Sequence, residues 1–122
     1  MNNIWITAGA FSCALAVIIG AFGAHGLKDV LNEYSRGVYE KGNLYHFIHS
    51  MALIVNGILS KIFSQLDFMI SGYLFLLGII LFSFSLYALA ITDIKKLGAI
   101  TPLGGICFIF AWLYICFKVY NS

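Results

Sequence analysis

Three histidines are prominent in a chain that has few ionisable residues. His46 and His49 are three positions apart, which places both imidazoles on one face of a helix, and His25 precedes them. Neutral imidazoles at this spacing can hydrogen-bond between helices, pass a proton or ligate zinc or copper. The pattern therefore offers three kinds of chemistry: structural hydrogen bonding, the handling of a proton or polar ligand, and metal binding.

A site for a polar ligand needs further polar groups at the same level. The chain has four apolar runs, so the end of the first and the start of the second lie on one side, as do the end of the third and the start of the fourth. A side chain five residues from a helix end lies roughly 7–8 Å inside it. We therefore expect one polar pocket, formed by the following residues: His25, Tyr45, His49, Ser83, Tyr87 and Thr101.

A metal centre is the sharpest of the three alternatives, with His25, His46 and His49 as its candidate ligands. The sequence has no HExxH motif, no pair of cysteines at ligand spacing and no carboxylate within an apolar run. No group of residues resembles a hydrolytic triad. The sequence therefore requires no cofactor and no catalytic residue, and a bound metal ion or haem stays an alternative.

The elements that must position these groups are the four apolar runs, residues 4–24, 44–60, 68–92 and 102–120. Hydrophobic residues make up 61% of the 122 residues and charged residues 10%, whereas about a quarter of a soluble domain is charged. A helix of about 20 apolar residues crosses a bilayer. The sequence predicts an all-α fold, an integral membrane four-helix bundle, with residues 1–122 in a single domain.

The segment between the first two runs, residues 27–41, has apolar residues at helical spacing with charges between them. This pattern predicts an amphipathic helix at the membrane interface, with a break or bend at Gly37, before Glu40. Lysines and arginines are concentrated in the first and third loops, which favours a cell-membrane protein with both termini outside and these loops in the cytoplasm.

Small residues recur at every fourth position of the first run and suit close packing between helices. Packing within the bundle is the first interpretation, and a homo-oligomer or a larger membrane partner stays open.

Trp112 is expected to pack inside the bundle with its N–H bonded to a neighbour. Besides the lipid bilayer no partner is indicated, and nucleic acid is excluded because the chain has no basic run. The helix-packing candidates are Ser12, Ala16, Gly20, Ala24, Gly104 and Gly105.

Several short motifs resemble those of the DUF423 family, and they occur in the same order and in the same spans as in that family. The family is also called UPF0382, and a eukaryotic transmembrane protein 256 belongs to it. The motifs are Gly20-Ala-Phe-Gly-Ala-His25, Tyr45 with His49 and Ala52, Phe82-Ser, Ser85-Leu-Tyr87, Thr101-Pro-Leu-Gly-Gly105 and Trp112. The resemblance implies a four-span membrane protein without an established activity. It implies that His25 and His49 occupy motif positions, whereas His46 stands where relatives often carry Gln.

The favoured function is a binding, transport or accessory component with a polar His/Tyr pocket near the cytoplasmic leaflet. A protein with this function is not expected to have enzymatic activity. Two other classes stay open: a metal- or haem-binding redox protein or enzyme, and an assembly or scaffold protein that docks a larger partner. The absence of an Asp or Glu deep in a span argues against carboxylate-coupled exchange.

Overall fold

The computed structural model describes residues 3–122, and all regular structure within them is helical. Helix α1 comprises Ile4–His25 and α2 comprises Glu33–Ile62. Helix α3, Met69–Thr92, is continuous but contains a π-helical segment, Ile79–Phe84, between the α-helical parts Met69–Gly78 and Ser85–Thr92. A short 3₁₀ helix, Lys95–Ala99, leads into α4, Thr101–Tyr120.

The four helices form an all-α membrane bundle, as the sequence predicted. Three of them, α1, α3 and α4 with its preceding turn, are long and apolar enough to cross a bilayer. Large apolar side chains point away from the bundle, among them Phe11 at 66% and Phe117 at 68% exposure. Such a surface suits lipid rather than water. Helix α2 is long enough to cross a bilayer but is more polar than the other three helices, so a fourth span stays a prediction.

The amphipathic segment between the first two spans differs from its predicted form. Residues 27–31 form turns, and helix α2 begins only at Glu33, because the side chain of Asn32 accepts a hydrogen bond from the Ser35 amide over 2.8 Å. The break predicted at Gly37 is wrong, since α2 continues from Glu33 through the second apolar run without interruption. Tertiary packing overrides the low helix propensity of a single glycine.

Helix α2 lies between α1 and α3, and α3 lies between α2 and α4. Ser12 and Ala16 of the predicted small-residue stripe are buried on the α2 side of α1, so this half of the stripe packs within the bundle. Gly20 is half-buried against Asn43, and Ala24 is exposed and does not pack against another helix as predicted. A Cβ added to Gly9 would come within 2.8 Å of the Ser50 carbonyl oxygen, which shows how closely the two backbones approach.

The contact between α3 and α4 depends on one of the two predicted packing glycines. A Cβ on Gly104 would lie 2.3 Å from the backbone nitrogen of Phe82, inside the π-helical segment. A Cβ on Gly105 would meet nothing closer than 3.8 Å. Gly104 therefore permits the close approach of α4, whereas Gly105 faces a groove on the surface.

Candidate functional site

A chain of buried hydrogen bonds joins three helices around His46, which is 0% exposed. The Nε2 atom of His46 lies 3.1 Å from the Ser12 hydroxyl on α1, and Nδ1 lies 2.8 Å from the Tyr87 hydroxyl on α3. The Ser12 hydroxyl is also 2.5 Å from that of Ser50, and Asn43 donates to Tyr87 over 3.2 Å. The side chains of α2 thus connect α1 to α3.

The number of protons fixes the direction of each of these hydrogen bonds. Ser50 donates its one hydroxyl proton to the His46 carbonyl over 2.6 Å, so it can only accept from Ser12. Ser12 then has no proton left for His46, so Nε2 of His46 carries a proton and donates it. No ion pair among residues 3–122 includes His46, so the buried ring is neutral, and its Nδ1 accepts from Tyr87.

Asn43 links this buried chain to an open polar cleft between α1 and α2. The cleft has a volume of about 540 Å³ and lies beside the end of α1 and the turns that follow it. Arg36 is held there by hydrogen bonds from its Nη2 to the carbonyl oxygens of Lys28, at 3.0 Å, and Leu31, at 3.4 Å. The polar residues that line the cleft are His25, Lys28, Arg36, Tyr39, Glu40 and Asn43.

The other buried histidine, His49, has a separate environment among aromatic rings of α3 and α4. Its Nδ1 donates to the Tyr45 carbonyl over 2.9 Å, and its Nε2 accepts from the Trp112 indole over 3.1 Å. The ring stacks on Phe108 with centroids 3.5 Å apart. His49 is therefore the Nδ1–H tautomer, opposite to His46. The N–H of Trp112 bonds a neighbour, as predicted, but the side chain is 42% exposed and does not pack inside the bundle.

The six residues expected in one pocket lie in several different places. His25 is exposed and lines the cleft, Tyr87 belongs to the buried chain, and His49 and Tyr45 line a groove with Trp112 on the outer surface. The remaining pair separates as well: Thr101 contacts Ser85 at 2.6 Å, and the Ser83 hydroxyl has no hydrogen-bond partner in the described part of the chain. The single pocket expected from helix depth is therefore wrong, because equal depth does not fix the direction in which a side chain points.

The proposed metal ligands do not come together either. Within residues 3–122 no three His, Cys, Asp or Glu side chains are grouped as metal ligands. Both ring nitrogens of His46 and of His49 already have hydrogen-bond partners. A metal ion would have to displace them, so these rings suit structural hydrogen bonding better than coordination.

Several residues of the site were missed or were given another role by the sequence analysis. His46 was predicted as a metal ligand and not as part of the polar pocket, and Asn43 and Ser50 were not named. These three residues are three and four positions apart on α2, so their common helical face was readable from the sequence. Ser12 was identified as a small packing residue, although its hydroxyl also bonds His46. Lys28, Arg36 and Glu40 were assigned to an interfacial helix, and no spacing rule brings them beside His25.

Comparisons with known proteins place this chain among small membrane proteins. Residues 19–105 match the family model described as "Protein of unknown function (DUF423)". A UPF0382 membrane protein of Staphylococcus epidermidis is 43% identical over 93% of this chain and 92% of its own length. UPF0382 membrane protein YwdK of Bacillus subtilis is 43% identical over 93% of each chain. No solved structure matches.

Proposed function

Because the chain belongs to the DUF423 family of UPF0382 membrane proteins, we propose that it is a binding component of the cell membrane whose cleft between α1 and α2 holds a small ligand with an anionic group. The observation that carries this proposal is the pair of cations at the cleft, Lys28 and Arg36. Such groups bind phosphate or carboxylate through charge-assisted hydrogen bonds.

The charges of the cleft are available to a ligand. The one ion pair among the described residues joins Lys95 to Asp93, so Lys28, Arg36 and Glu40 are not paired with each other. Arg36 uses Nη2 for backbone carbonyls, which fixes the guanidinium in place, and its other N–H groups have no partner among residues 3–122. A pre-positioned donor loses less conformational entropy when it binds a ligand than a mobile one does.

The position of the cleft suits a ligand at the membrane boundary. It lies where α1 ends and α2 begins, and the first loop carries three of the seven lysines and arginines. The positive-inside rule assigns this loop to the cytoplasm and both termini to the outside. The ligand would then be bound at the cytoplasmic leaflet.

The buried chain behind the cleft favours binding over proton transport. Its hydrogen bonds run from Asn43 through Tyr87 and His46 to Ser12 and Ser50, and they end at a backbone carbonyl of α2. A backbone carbonyl has no proton to pass on, so the chain offers no onward path. We assign it a structural role: it holds α1, α2 and α3 in place around the cleft.

The test is native mass spectrometry of the protein purified in mild detergent from its own membrane. We expect a co-purifying molecule whose occupancy falls several-fold in Lys28→Gln. The matched control is Lys41→Gln, which removes an exposed cation from a different surface of α2. Equal occupancy in both variants, or no retained molecule in the wild type, would overturn the proposed binding function.

A further inference from the structure

A second cavity continues the cleft toward the centre of the membrane. This groove, about 270 Å³, runs along the outer surface between α1 and α2 and shares two residues, Glu40 and Asn43, with the cleft. Six of the ten residues that line the cleft are polar, whereas the rest of the groove is apolar. The groove is lined by Ala16, Val17, Glu40, Asn43, Leu44 and Phe47.

From this continuity we propose the ligand class: a phospholipid whose headgroup carries a primary ammonium beside its phosphate. Its phosphate binds Lys28 and Arg36, its ammonium folds back toward the membrane to bind Glu40 and Asn43, and one acyl chain lies in the groove. This inference rests on the proposed function, since it assumes that the cleft is the binding site.

The headgroup is inferred from charges of both signs at one cleft. Lys28 and Arg36 supply positive charge, Glu40 supplies a carboxylate, and none of the three forms an ion pair within the described residues. A ligand with only an anionic group would leave Glu40 unpaired beside a second negative charge. A zwitterion satisfies both signs, because its phosphate and its ammonium are a few bonds apart.

Asn43 distinguishes a primary ammonium from a quaternary one. Its side-chain N–H groups donate to the Ala16 carbonyl, over 2.8 Å, and to Tyr87, over 3.2 Å, which fixes the orientation of the amide. Asn43 lines both cavities, and its Oδ1, which accepts no hydrogen bond from the described residues, lies against Gly20 at the cleft. A primary ammonium has N–H donors for this oxygen and for Glu40, whereas a trimethylammonium group has none.

The tail is inferred from the apolar lining and its depth. Val17 is 61% exposed, Leu44 57% and Phe47 40%, all on the surface that faces lipid. Phe47 is seven residues beyond Glu40, which places it roughly 10 Å further along α2 toward the membrane centre. A soluble phosphate compound would use the cleft alone, so the groove indicates a molecule with both a head and a tail.

The headgroup test uses delipidated protein in detergent, mixed with equal amounts of phosphatidylethanolamine, phosphatidylcholine and phosphatidylglycerol that have the same acyl chains. Native mass spectrometry counts the bound lipids. We expect about tenfold preference for phosphatidylethanolamine, the effect of one charge-assisted hydrogen bond. Glu40→Gln should remove the preference, while the control Glu33→Gln, on a different surface of α2, should keep it. Equal retention of the three lipids, or loss of preference in both variants, would overturn the headgroup assignment.

The tail test uses two tryptophan substitutions and a soluble competitor. Val17→Trp fills the groove and should lower lipid retention several-fold, whereas Ile18→Trp, at a neighbouring exposed position outside the groove, should not. Phosphoethanolamine, which has the headgroup without a tail, should compete only at concentrations far above that of the lipid. Competition at equal concentration, or equal effects of the two tryptophans, would overturn the tail assignment.

The two proposals fail in different ways. If a retained molecule depends on Lys28 but shows no preference for phosphatidylethanolamine, the binding function stands and the lipid class is wrong. If no retained molecule depends on Lys28, both are wrong.

Discussion

Nδ1 of His46 lies 2.8 Å from the hydroxyl oxygen of Tyr87, and this contact ties α2 to α3 at a fully buried position. The opposite nitrogen of the same ring ties α2 to α1. In lipid, apolar burial gives no net drive between helices, so such hydrogen bonds and close packing supply the association. One imidazole therefore holds three helices in register.

Replacement of His46 should lower the free energy of unfolding, mainly because its hydrogen bonds are lost. His46→Ala removes the donor to Ser12 and the acceptor for the buried Tyr87 proton, and it opens a cavity, so we expect a loss of about 2–4 kcal/mol in the free energy of unfolding. His46→Gln should recover part of this loss, because its amide offers one donor and one acceptor. Denaturant unfolding in detergent measures both variants.

The control for His46 is Ile48→Ala on the same helix, where the side chain is 43% exposed to lipid. We expect little change in unfolding free energy there. If His46→Gln proves as destabilising as His46→Ala, the packing of the ring, rather than its hydrogen bonds, holds the three helices together.

The hydrogen bond between Trp112 and His49 should be measurable on its own. Trp112→Phe keeps an aromatic ring but removes the indole N–H that Nε2 of His49 accepts over 3.1 Å. We expect a coupling free energy of about 1 kcal/mol between the two positions. A double-mutant cycle with His49→Phe measures it, and additive effects of the two substitutions would contradict the contact.

Much of the fold was readable from the sequence because a membrane imposes strong rules on it. Long apolar runs predict helices, since only a helix satisfies its own backbone in lipid without neighbours. The junctions were less predictable. The sequence alone did not show that Asn32, rather than a residue near Leu27, caps helix α2, because apolar residues recur at helical spacing on both sides of Asn32.

The site was harder to predict than the fold because depth and direction are separate properties. Helix rise placed His25, His49 and Tyr87 in one half of the membrane, but a rotation about a helix axis decides which neighbour each side chain meets. His46 and His49 illustrate this: they are three positions apart, yet one contacts α1 and α3 while the other contacts α3 and α4. Long-range packing fixes that rotation.

The number of spans can be tested by the side of the membrane on which each end of α2 lies. If α2 crosses the membrane, Asn32 and Ser64 lie on opposite sides, and the charge distribution places Asn32 in the cytoplasm. Cysteines introduced singly at these positions, in a background without Cys13, Cys107 and Cys116, report the side. An impermeant maleimide should label Ser64→Cys but not Asn32→Cys in intact cells. Labelling of both positions would show that α2 does not cross.

Gly104 and Gly105 are adjacent but should respond differently to a methyl group. Gly104→Ala places a Cβ 2.3 Å from the Phe82 backbone nitrogen, so α4 must move away from α3. We expect a loss of about 1–3 kcal/mol, as for other overpacked sites. Gly105→Ala should cost less than 1 kcal/mol, since its nearest contact would be at 3.8 Å. Equal losses, measured by unfolding in detergent, would contradict the close approach at Gly104.

Ser83 and Ser71 are both 0% exposed on α3, but only one has a hydrogen-bond partner. The Ser71 hydroxyl lies 2.6 Å from Oδ1 of Asn56 and donates to it, whereas the Ser83 hydroxyl has none among residues 3–122. A buried hydroxyl without a partner opposes folding, so Ser83→Ala should leave the unfolding free energy unchanged or raise it by about 1 kcal/mol. Ser71→Ala should lower it by about 1–2 kcal/mol, because Asn56 loses its donor. A loss at Ser83 equal to that at Ser71 would show that the Ser83 hydroxyl has a bound partner in the membrane, and it would point to the π-helical segment as a second polar contact site.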